Sequence, residues 1–192
     1  MNEKQTQKPS INGYQKLVIF LLAITQFTVV LDFMVMSPLG DIMMKTLKIT
    51  ASQFGVAVSA YAFSAGVSGL LTAGFADKFD RKKLLLFFYI GFTIGTLFCA
   101  LAPNFFLLVA ARIFTGLFGG VIGSISLAIV ADLFSLQQRG KVMGFIQMGF
   151  GVSQVLGIPI GLYIANAWGW HVPFLWIAAM AAIIMIILYL KL

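Results

Sequence analysis

The sequence predicts an all-α membrane protein with six transmembrane helices. Hydrophobic residues make up 60% of its 192 residues and charged residues only 10%, whereas soluble domains carry about 25% charged residues. The apolar residues also form six separate runs, each long enough for the roughly 20 residues that a helix needs to cross a bilayer core. We therefore expect the chain to fold in lipid, as a multi-pass protein.

The predicted spans follow a short polar tail and are separated by charged or turn-forming segments. Residues 1–15 form the tail, and residues 16–192 form the transmembrane bundle. The spans cover residues 17–40, 54–76, 84–102, 105–133, 142–166 and 172–190. The breaks contain candidate N-caps at Thr50 and Ser52, a Pro-Asn turn in "APNFF", the polar link "LFSLQQRGK", and interfacial Trp168 and Trp170.

The distribution of Lys and Arg predicts the orientation. With a cytoplasmic N-terminus, only Lys45 and Lys48 lie outside, and Arg112 lies within a span. The ten remaining cations all face inward: Lys4, Lys8, Lys16, Lys78, Arg81, Lys82, Lys83, Arg139, Lys141 and Lys191. Because cytoplasmic loops accumulate Lys and Arg, both termini are expected in the cytoplasm.

The charges and motifs argue against several soluble function classes. The formal net charge of +7 follows the predicted topology, so we expect no nucleic-acid partner. The sequence contains no recognisable metal-ligand cluster, nucleophile–base set or phosphate loop, so we predict no enzyme, cofactor or metal. Cys99 is the single cysteine, and an intramolecular disulfide cannot form.

The loop "LLTAGFADKFDRKKLLLFF" places six charges between spans two and three. Its four cations suit a cytoplasmic loop, but Asp77 and Asp80 contribute little to topology. On the preceding helix, Gly66, Gly69 and Gly74 are small residues that allow close helix contact.

This loop resembles the major facilitator superfamily signature Gly-x-Leu-Ala-Asp-Arg-x-Gly-Arg-Arg/Lys-x-x-Leu. The residues at or next to matching places are Gly74, Ala76, Asp77, Arg81, Lys82 and Leu85. Phe75 replaces the usual Leu and Asp80 replaces the second Gly. The resemblance implies a cytoplasmic gate formed by Gly74, Asp77, Arg81 and Asp132; a plain topological loop is the alternative.

Three further motifs extend the resemblance over residues 17–190. "LDFMVMSPLGDIM" resembles the first span of drug- and sugar-exporting proton antiporters, and "ARIFTGLFGG" resembles the family's Arg-x-x-x-Gly motif, with Arg112 as its arginine. "SQVLGIPIGLYIANAWGW" resembles the antiporter signature of arabinose-efflux-type permeases, with Gly157, Pro159 and Gly161. The family implies one bundle of two inverted three-helix repeats. The shared Ala-Asp-x-Phe segments after spans two and four agree with that repeat.

Two charged residues lie inside predicted spans. Asp32 and Arg112 are about 22 Å and 10 Å from the starts of their spans at 1.5 Å per residue, which places them at similar depth because the spans enter from opposite sides. Intramembrane charges normally face a partner or a wet cavity. Either the two residues neutralise each other, or Asp32 also carries a proton whose binding Arg112 modulates, because burial and a nearby arginine act oppositely on a carboxyl group.

Other polar and flexible positions leave alternatives open. The glutamines within spans are Gln26, Gln147 and Gln154. They serve either as interhelical hydrogen-bonding groups or as contacts in a substrate cavity. Gly157, Pro159 and Gly161 either permit ordinary close packing or form the helix that, by resemblance, limits proton leak in antiporters.

The expected function is proton-coupled efflux of a small molecule, a drug or a sugar, through the bacterial inner membrane. The partners are membrane lipid, protons and the small-molecule substrate. Family members have twelve spans in two bundles. The chain is therefore either a truncated or split N-terminal half, or a bundle that is completed by a homodimer or by a separate C-terminal half. The alternative is a transport-incompetent half-transporter remnant or a regulatory membrane partner.

Overall fold

The computed structural model describes residues 11–74 and 79–192. These ranges contain six helices that are long and apolar enough to cross a membrane, and no strands. We call them spans one to six: Gly13–Val35, Ala51–Ala73, Arg81–Leu101, Phe105–Leu133, Leu136–Trp168 and His171–Lys191. The predicted all-helical, six-span fold is confirmed.

Span one begins at Gly13 and ends at Val35, five residues before the predicted end. Asn12 caps it by accepting a hydrogen bond from the backbone N–H of Gln15. Pro38 lacks a backbone N–H and disfavours helical geometry at the residue before it, which accounts for the early end. A separate short helix, Gly40–Leu47, occupies the segment that the sequence predicted to be only a charged break.

Capping residues set the starts of spans two and five. Thr50 caps span two, which confirms one of the two candidates, and Gln53 bonds back to the Thr50 N–H at 2.9 Å. Ser135 and Gln138 form the same reciprocal arrangement before span five. The helix therefore starts at Leu136, inside the segment predicted to be a polar link, because the cap satisfies its first N–H groups.

Span five is not a regular α-helix throughout. An α-helix over Leu136–Val152 passes into a π-helical turn at Ser153–Gly157 and then into a second α-helix over Ile158–Trp168. Pro159 lies in the first turn of the last segment. Proline has no N–H to donate to the carbonyl four residues earlier, and its ring clashes with that carbonyl. A π-helical turn just before the proline changes the local hydrogen-bond pattern and accommodates it.

The two tryptophans before span six have different environments. Trp168 is exposed, but Trp170 is buried in the protein, so only Trp168 presents its ring at the surface. Their predicted position at the membrane interface stays a prediction. Gly169 has φ +95° and turns the chain between them. His171 then hydrogen-bonds the Ala100 carbonyl at 2.6 Å, which draws the start of span six onto the end of span three.

Spans two and five bury the smallest share of their residues, 22% and 28% of their most apolar windows. A Cβ added to Gly66 or Gly69 would meet nothing within 4 Å. The close helix contact predicted at these two glycines is therefore not made within the part of the chain that the structure describes. Gly140 and Gly144 on span five are equally open.

The two ends of the bundle's chain lie together. The Tyr14 hydroxyl donates a hydrogen bond to the Leu192 carbonyl at 3.2 Å, so span one starts where span six ends. An even number of crossings places both ends on the same side of the membrane, which agrees with this contact. The assignment of that side to the cytoplasm stays a prediction from the Lys and Arg distribution.

Candidate functional site

The two intramembrane charges form a direct ion pair. Arg112 Nη1 donates to Asp32 Oδ2 at 2.8 Å, and both side chains are 0% exposed. Thr96 on span three donates its hydroxyl hydrogen to the other carboxylate oxygen at 3.1 Å. Spans one, three and four thus meet around the Asp32 carboxylate. The similar depths estimated from sequence for Asp32 and Arg112 agree with this direct contact.

Span two supplies an aromatic ring to the same site. The Arg112 guanidinium carbon is 4.5 Å from the centroid of the Tyr61 ring, and Tyr61 also packs on Phe33 with centroids 5.2 Å apart. A cation over an aromatic face is stabilised by the ring's quadrupole, most strongly where water is excluded. Sequence reasoning missed Tyr61, because a tyrosine among apolar residues has no motif and no charge.

A thiol and a hydroxyl complete this layer of the bundle. Cys99 Sγ is 3.6 Å from Thr115 Oγ1, and Thr115 donates to the Ala111 carbonyl at 2.7 Å. Asp32 accepts a hydrogen bond from Nη1 of Arg112. The other two nitrogens, Nε and Nη2, have no hydrogen-bond partner within the described residues. The arginine therefore keeps donor capacity beyond its bond to Asp32.

The three candidate glutamines have different environments. Gln26 has a buried Oε1 without a hydrogen-bond donor among the described groups, close to the position where a Cβ on Gly123 would lie (3.8 Å). Gln147 and Gln154 are exposed on span five. A substrate role for these three glutamines therefore stays a prediction.

The glycines of span five lie against span one. A Cβ on Gly157 would approach Leu31 Cδ1 to 2.5 Å, and one on Gly161 would approach Val35 Cγ2 to 2.6 Å. Such distances are too short for a real Cβ, so a larger residue at either position would require the Leu31 or Val35 side chain to shift. Pro159, between them, is exposed. Close packing therefore explains the two glycines, while a role in limiting proton leak stays a prediction.

The start of span three and the end of span four are joined by a second ion pair. Arg81 Nε is 3.3 Å from Asp132 Oδ2 at the end of span four, with side chains 26% and 57% exposed. Together with Tyr14 and Leu192 they line a cavity of about 210 Å³. Asp77 lies outside the described residues, so its predicted place in the gate has no structural counterpart here.

Asp80 and Gly74 have ordinary backbone conformations at this loop. Asp80 has φ −60° and accepts a hydrogen bond from the Lys83 N–H at 3.0 Å, which caps span three. It thus replaces the motif's second glycine without left-handed backbone. Gly74 ends span two with φ −79°, and an added Cβ would make only ordinary contact there, at 3.9 Å from the Leu71 carbonyl oxygen.

Comparison with known families accounts for this arrangement. The family described as the Major Facilitator Superfamily matches residues 22–192. The chain belongs to the Major Facilitator Superfamily. Its members are membrane transporters and not enzymes, which confirms the predicted family and the predicted absence of enzymatic activity.

Curated relatives extend well beyond this chain. An uncharacterized MFS-type transporter of Bacillus subtilis, YceJ, is 28% identical over 170 residues, which are 88% of this chain and 43% of YceJ. The MFS antiporter QDR3 of Candida albicans is 28% identical over 163 residues, 83% of this chain and 23% of QDR3. The chain thus spans less than half the length of these relatives. Others are named as amino acid uptake and probable sugar efflux transporters.

Solved structures show the same fold. The proton:xylose symporter XylE superposes with a TM-score of 0.82 at 19% identity, over 94% of this chain and 45% of XylE. At that identity the likeness concerns the fold alone. It confirms that the six spans form a single helical bundle.

Proposed function

We propose that this bundle is half of a proton-coupled efflux transporter for a small molecule, a drug or a sugar. In this proposal Asp32 binds and releases the coupling proton, and Arg112 competes with that proton for the carboxylate. The observation that carries the proposal is the Asp32–Arg112 ion pair at 0% exposure inside the membrane-spanning bundle.

The chemistry of the pair suits proton coupling. An ionised carboxylate without water needs a positive partner, whereas a protonated carboxyl does not. Separation of Arg112 from Asp32 therefore favours proton uptake, and their approach favours proton release. Thr96 can donate a hydrogen bond to the carboxylate as well. Its hydroxyl and the Arg112 guanidinium therefore both stabilise the ionised form of Asp32.

Efflux, drugs and sugars enter the proposal from the motifs in spans one and five and from the relatives' names. One relative is named an antiporter and another a probable sugar efflux transporter. The cytoplasmic position of both termini is inferred from the Lys and Arg distribution. The bacterial inner membrane belongs to the same proposal and is supported by relatives from Bacillus subtilis. A reporter that fluoresces only in the cytoplasm, fused after Leu192, would test the orientation.

A second six-helix bundle would complete the transport path. We propose that this second bundle contacts spans two and five, whether it belongs to a longer form of this chain, to a second copy or to a separate C-terminal half. The open glycines on these two spans support this position, since small residues let helices approach closely in lipid. The Arg81–Asp132 pair, with Asp77, would then act as a gate at the end of the bundle where the chain termini meet.

Flux in vesicles tests proton coupling. The purified chain is reconstituted into vesicles, a pH gradient is imposed, and accumulation of ethidium and of labelled arabinose is followed. We expect gradient-driven accumulation of at least one probe to be lost in Asp32→Asn. Asp41→Asn is the matched control, because Asp41 is an exposed carboxylate that pairs with Lys45 one turn away. Proton-driven accumulation that survives in Asp32→Asn would refute the role of Asp32.

The molecular mass of the purified particle tests the partner bundle. A dimeric mass combined with flux supports assembly from two copies. Monomeric protein without flux, which gains flux when a C-terminal half of a full-length relative is co-expressed, supports the separate half. Inactivity in both arrangements would favour the remnant or regulatory alternative.

A further inference from the structure

Tyr61 packs against span four at Gly116 and Gly119, two positions where a Cβ atom would collide with it. A Cβ on Gly116 would collide with the Tyr61 carbonyl oxygen and with Ser64 Oγ, and it would lie 3.0 Å from Tyr61 Cα. A Cβ on Gly119 would lie 2.6 Å from the Tyr61 hydroxyl oxygen. The glycine of the Arg-x-x-x-Gly motif thus brings the backbone of span two onto span four, one turn from Arg112.

This close packing on Gly116 and Gly119 places the Tyr61 ring over the buried ion pair. The ring covers the guanidinium face at 4.5 Å, while the carboxylate is held from spans three and four by Thr96 and Arg112. Tyr61 itself is only 6% exposed. Its ring therefore provides both an attractive surface for the cation and a wall between the pair and span two's side of the bundle.

Span two is otherwise the most exposed of the six spans. Only 22% of its most apolar window is buried, and Phe63, two residues after Tyr61, is 77% exposed. In the proposed assembly this span contacts the second bundle. A shift of span two relative to span four would consequently move the Tyr61 ring with respect to Arg112.

We propose that Tyr61 is a positioning residue for proton coupling: its ring holds Arg112 on Asp32 and keeps water from the pair until span two moves. This inference rests on the proposed function and deepens it, because it assigns to span two the control of water access to the proton site. The ring, and not the hydroxyl, performs this role.

Cys99 offers a natural reporter of water at the site. It is the only cysteine in the sequence and is fully buried. It lies one helical turn after Thr96, which bonds Asp32, and it contacts Thr115, one turn after Arg112. A charged, water-soluble thiol reagent reaches Cys99 only when water reaches this layer.

The experiment measures the rate at which a cationic methanethiosulfonate reagent modifies Cys99 in the full chain in lipid nanodiscs. We expect Tyr61→Leu to raise the rate by about tenfold or more, because the seal and the cation–π contact are both lost. Tyr61→Phe keeps the ring and should react at the wild-type rate. Phe63→Ala, an exposed change on the same span, is the matched control and should also leave the rate unchanged.

Two further measurements separate sealing from misfolding. Gel-filtration profiles and helical circular dichroism identify variants that have lost the fold. Gly116→Ala, which displaces span two without altering the ring, should accelerate labelling in folded protein as well. Wild-type labelling in folded Tyr61→Leu, or equal acceleration in Tyr61→Phe and Tyr61→Leu, would overturn the inference.

The outcome is independent of the vesicle assay. Labelling needs no substrate, gradient or second bundle. If Asp32→Asn still supports proton-driven flux while Tyr61→Leu labels faster, the proposed proton role fails but Tyr61 remains the water seal. If Asp32→Asn abolishes flux and Cys99 in Tyr61→Leu is labelled at the wild-type rate, the proton role of Asp32 stands. The claim that Tyr61 keeps water from the pair then fails.

Discussion

The bundle contains two arginine–aspartate pairs that differ in almost everything except their chemistry. Arg112 and Asp32 meet at 2.8 Å with both side chains 0% exposed. Arg81 and Asp132 meet at 3.3 Å, with 26% and 57% of the side chains exposed. One pair joins two helices inside the membrane-spanning region, and the other joins the first residue of span three to the end of span four.

The difference shows how surroundings decide what an ion pair can do. Loss of one partner from a buried pair leaves a charge without water, which costs about 3–5 kcal/mol, whereas an exposed pair is worth about 0.2–1 kcal/mol. The buried pair is therefore suited to compete with a proton for a carboxylate. The exposed pair can open and close repeatedly at little cost, as a gate contact must.

The largest expected effect is Arg112→Met. It leaves the Asp32 carboxyl buried without its cation, and we expect the free energy of unfolding to fall by about 3–5 kcal/mol. Thermal unfolding in detergent micelles provides the measurement. The double variant Asp32→Asn/Arg112→Met should recover part of the loss, because the unpaired charge is gone; equal losses in the single and double variants would show that packing, not charge, stabilises this layer.

A smaller effect is expected from Gly116→Ala. The new methyl group meets the backbone of Tyr61, which cannot rotate away, so we expect a loss of about 1–3 kcal/mol from overpacking. Gly66→Ala is the matched control, since a Cβ there meets nothing within 4 Å. It should stay within about 0.5 kcal/mol of wild type or gain stability from the higher helix propensity of alanine. If the two variants had the same unfolding temperature, the close packing of Tyr61 on Gly116 would be contradicted.

The change Asp80→Ala tests the loop beside the exposed pair. Asp80 caps span three through the Lys83 N–H, so its removal should cost about 1 kcal/mol, while Asp80→Asn should retain most of the stability because asparagine caps equally well. Thermal unfolding again gives the readout. If the asparagine variant were as unstable as the alanine variant, the negative charge would matter more than the cap.

The smallest effect is expected at Arg81 and Asp132. Arg81→Gln and Asp132→Asn should each cost less than about 1 kcal/mol, and their coupling in a double-mutant cycle should shrink with added salt. Unfolding measured at low and high ionic strength tests both statements. A coupling as large and as salt-insensitive as that of the buried pair would remove the distinction between the two sites.

Much of the fold and part of the site could be predicted because they depend on local chemistry. Hydropathy and length determine the six spans, since each backbone polar group must be satisfied within its own helix in lipid. Asp32 and Arg112 stand out as rare intramembrane charges. Thr50 could be identified as a cap because its side chain acts on a neighbour three residues away.

Other features depend on contacts between distant parts of the chain. The place of Tyr61 above Arg112 requires glycines on another helix, and the burial of Trp170 requires the packing of the turn before span six. The open glycines of span two show the converse: small residues permit a close contact but do not determine which helix makes it.

The chain's own order of residues was thus sufficient for its membrane nature, its six crossings, its family and its two unusual charges, because hydropathy, capping and motifs act locally. Tertiary packing alone decided that Asp32 and Arg112 bond directly, that Tyr61 covers them and that spans two and five keep open faces. These outcomes depend on the distances between helices, which side-chain volumes set across the whole bundle.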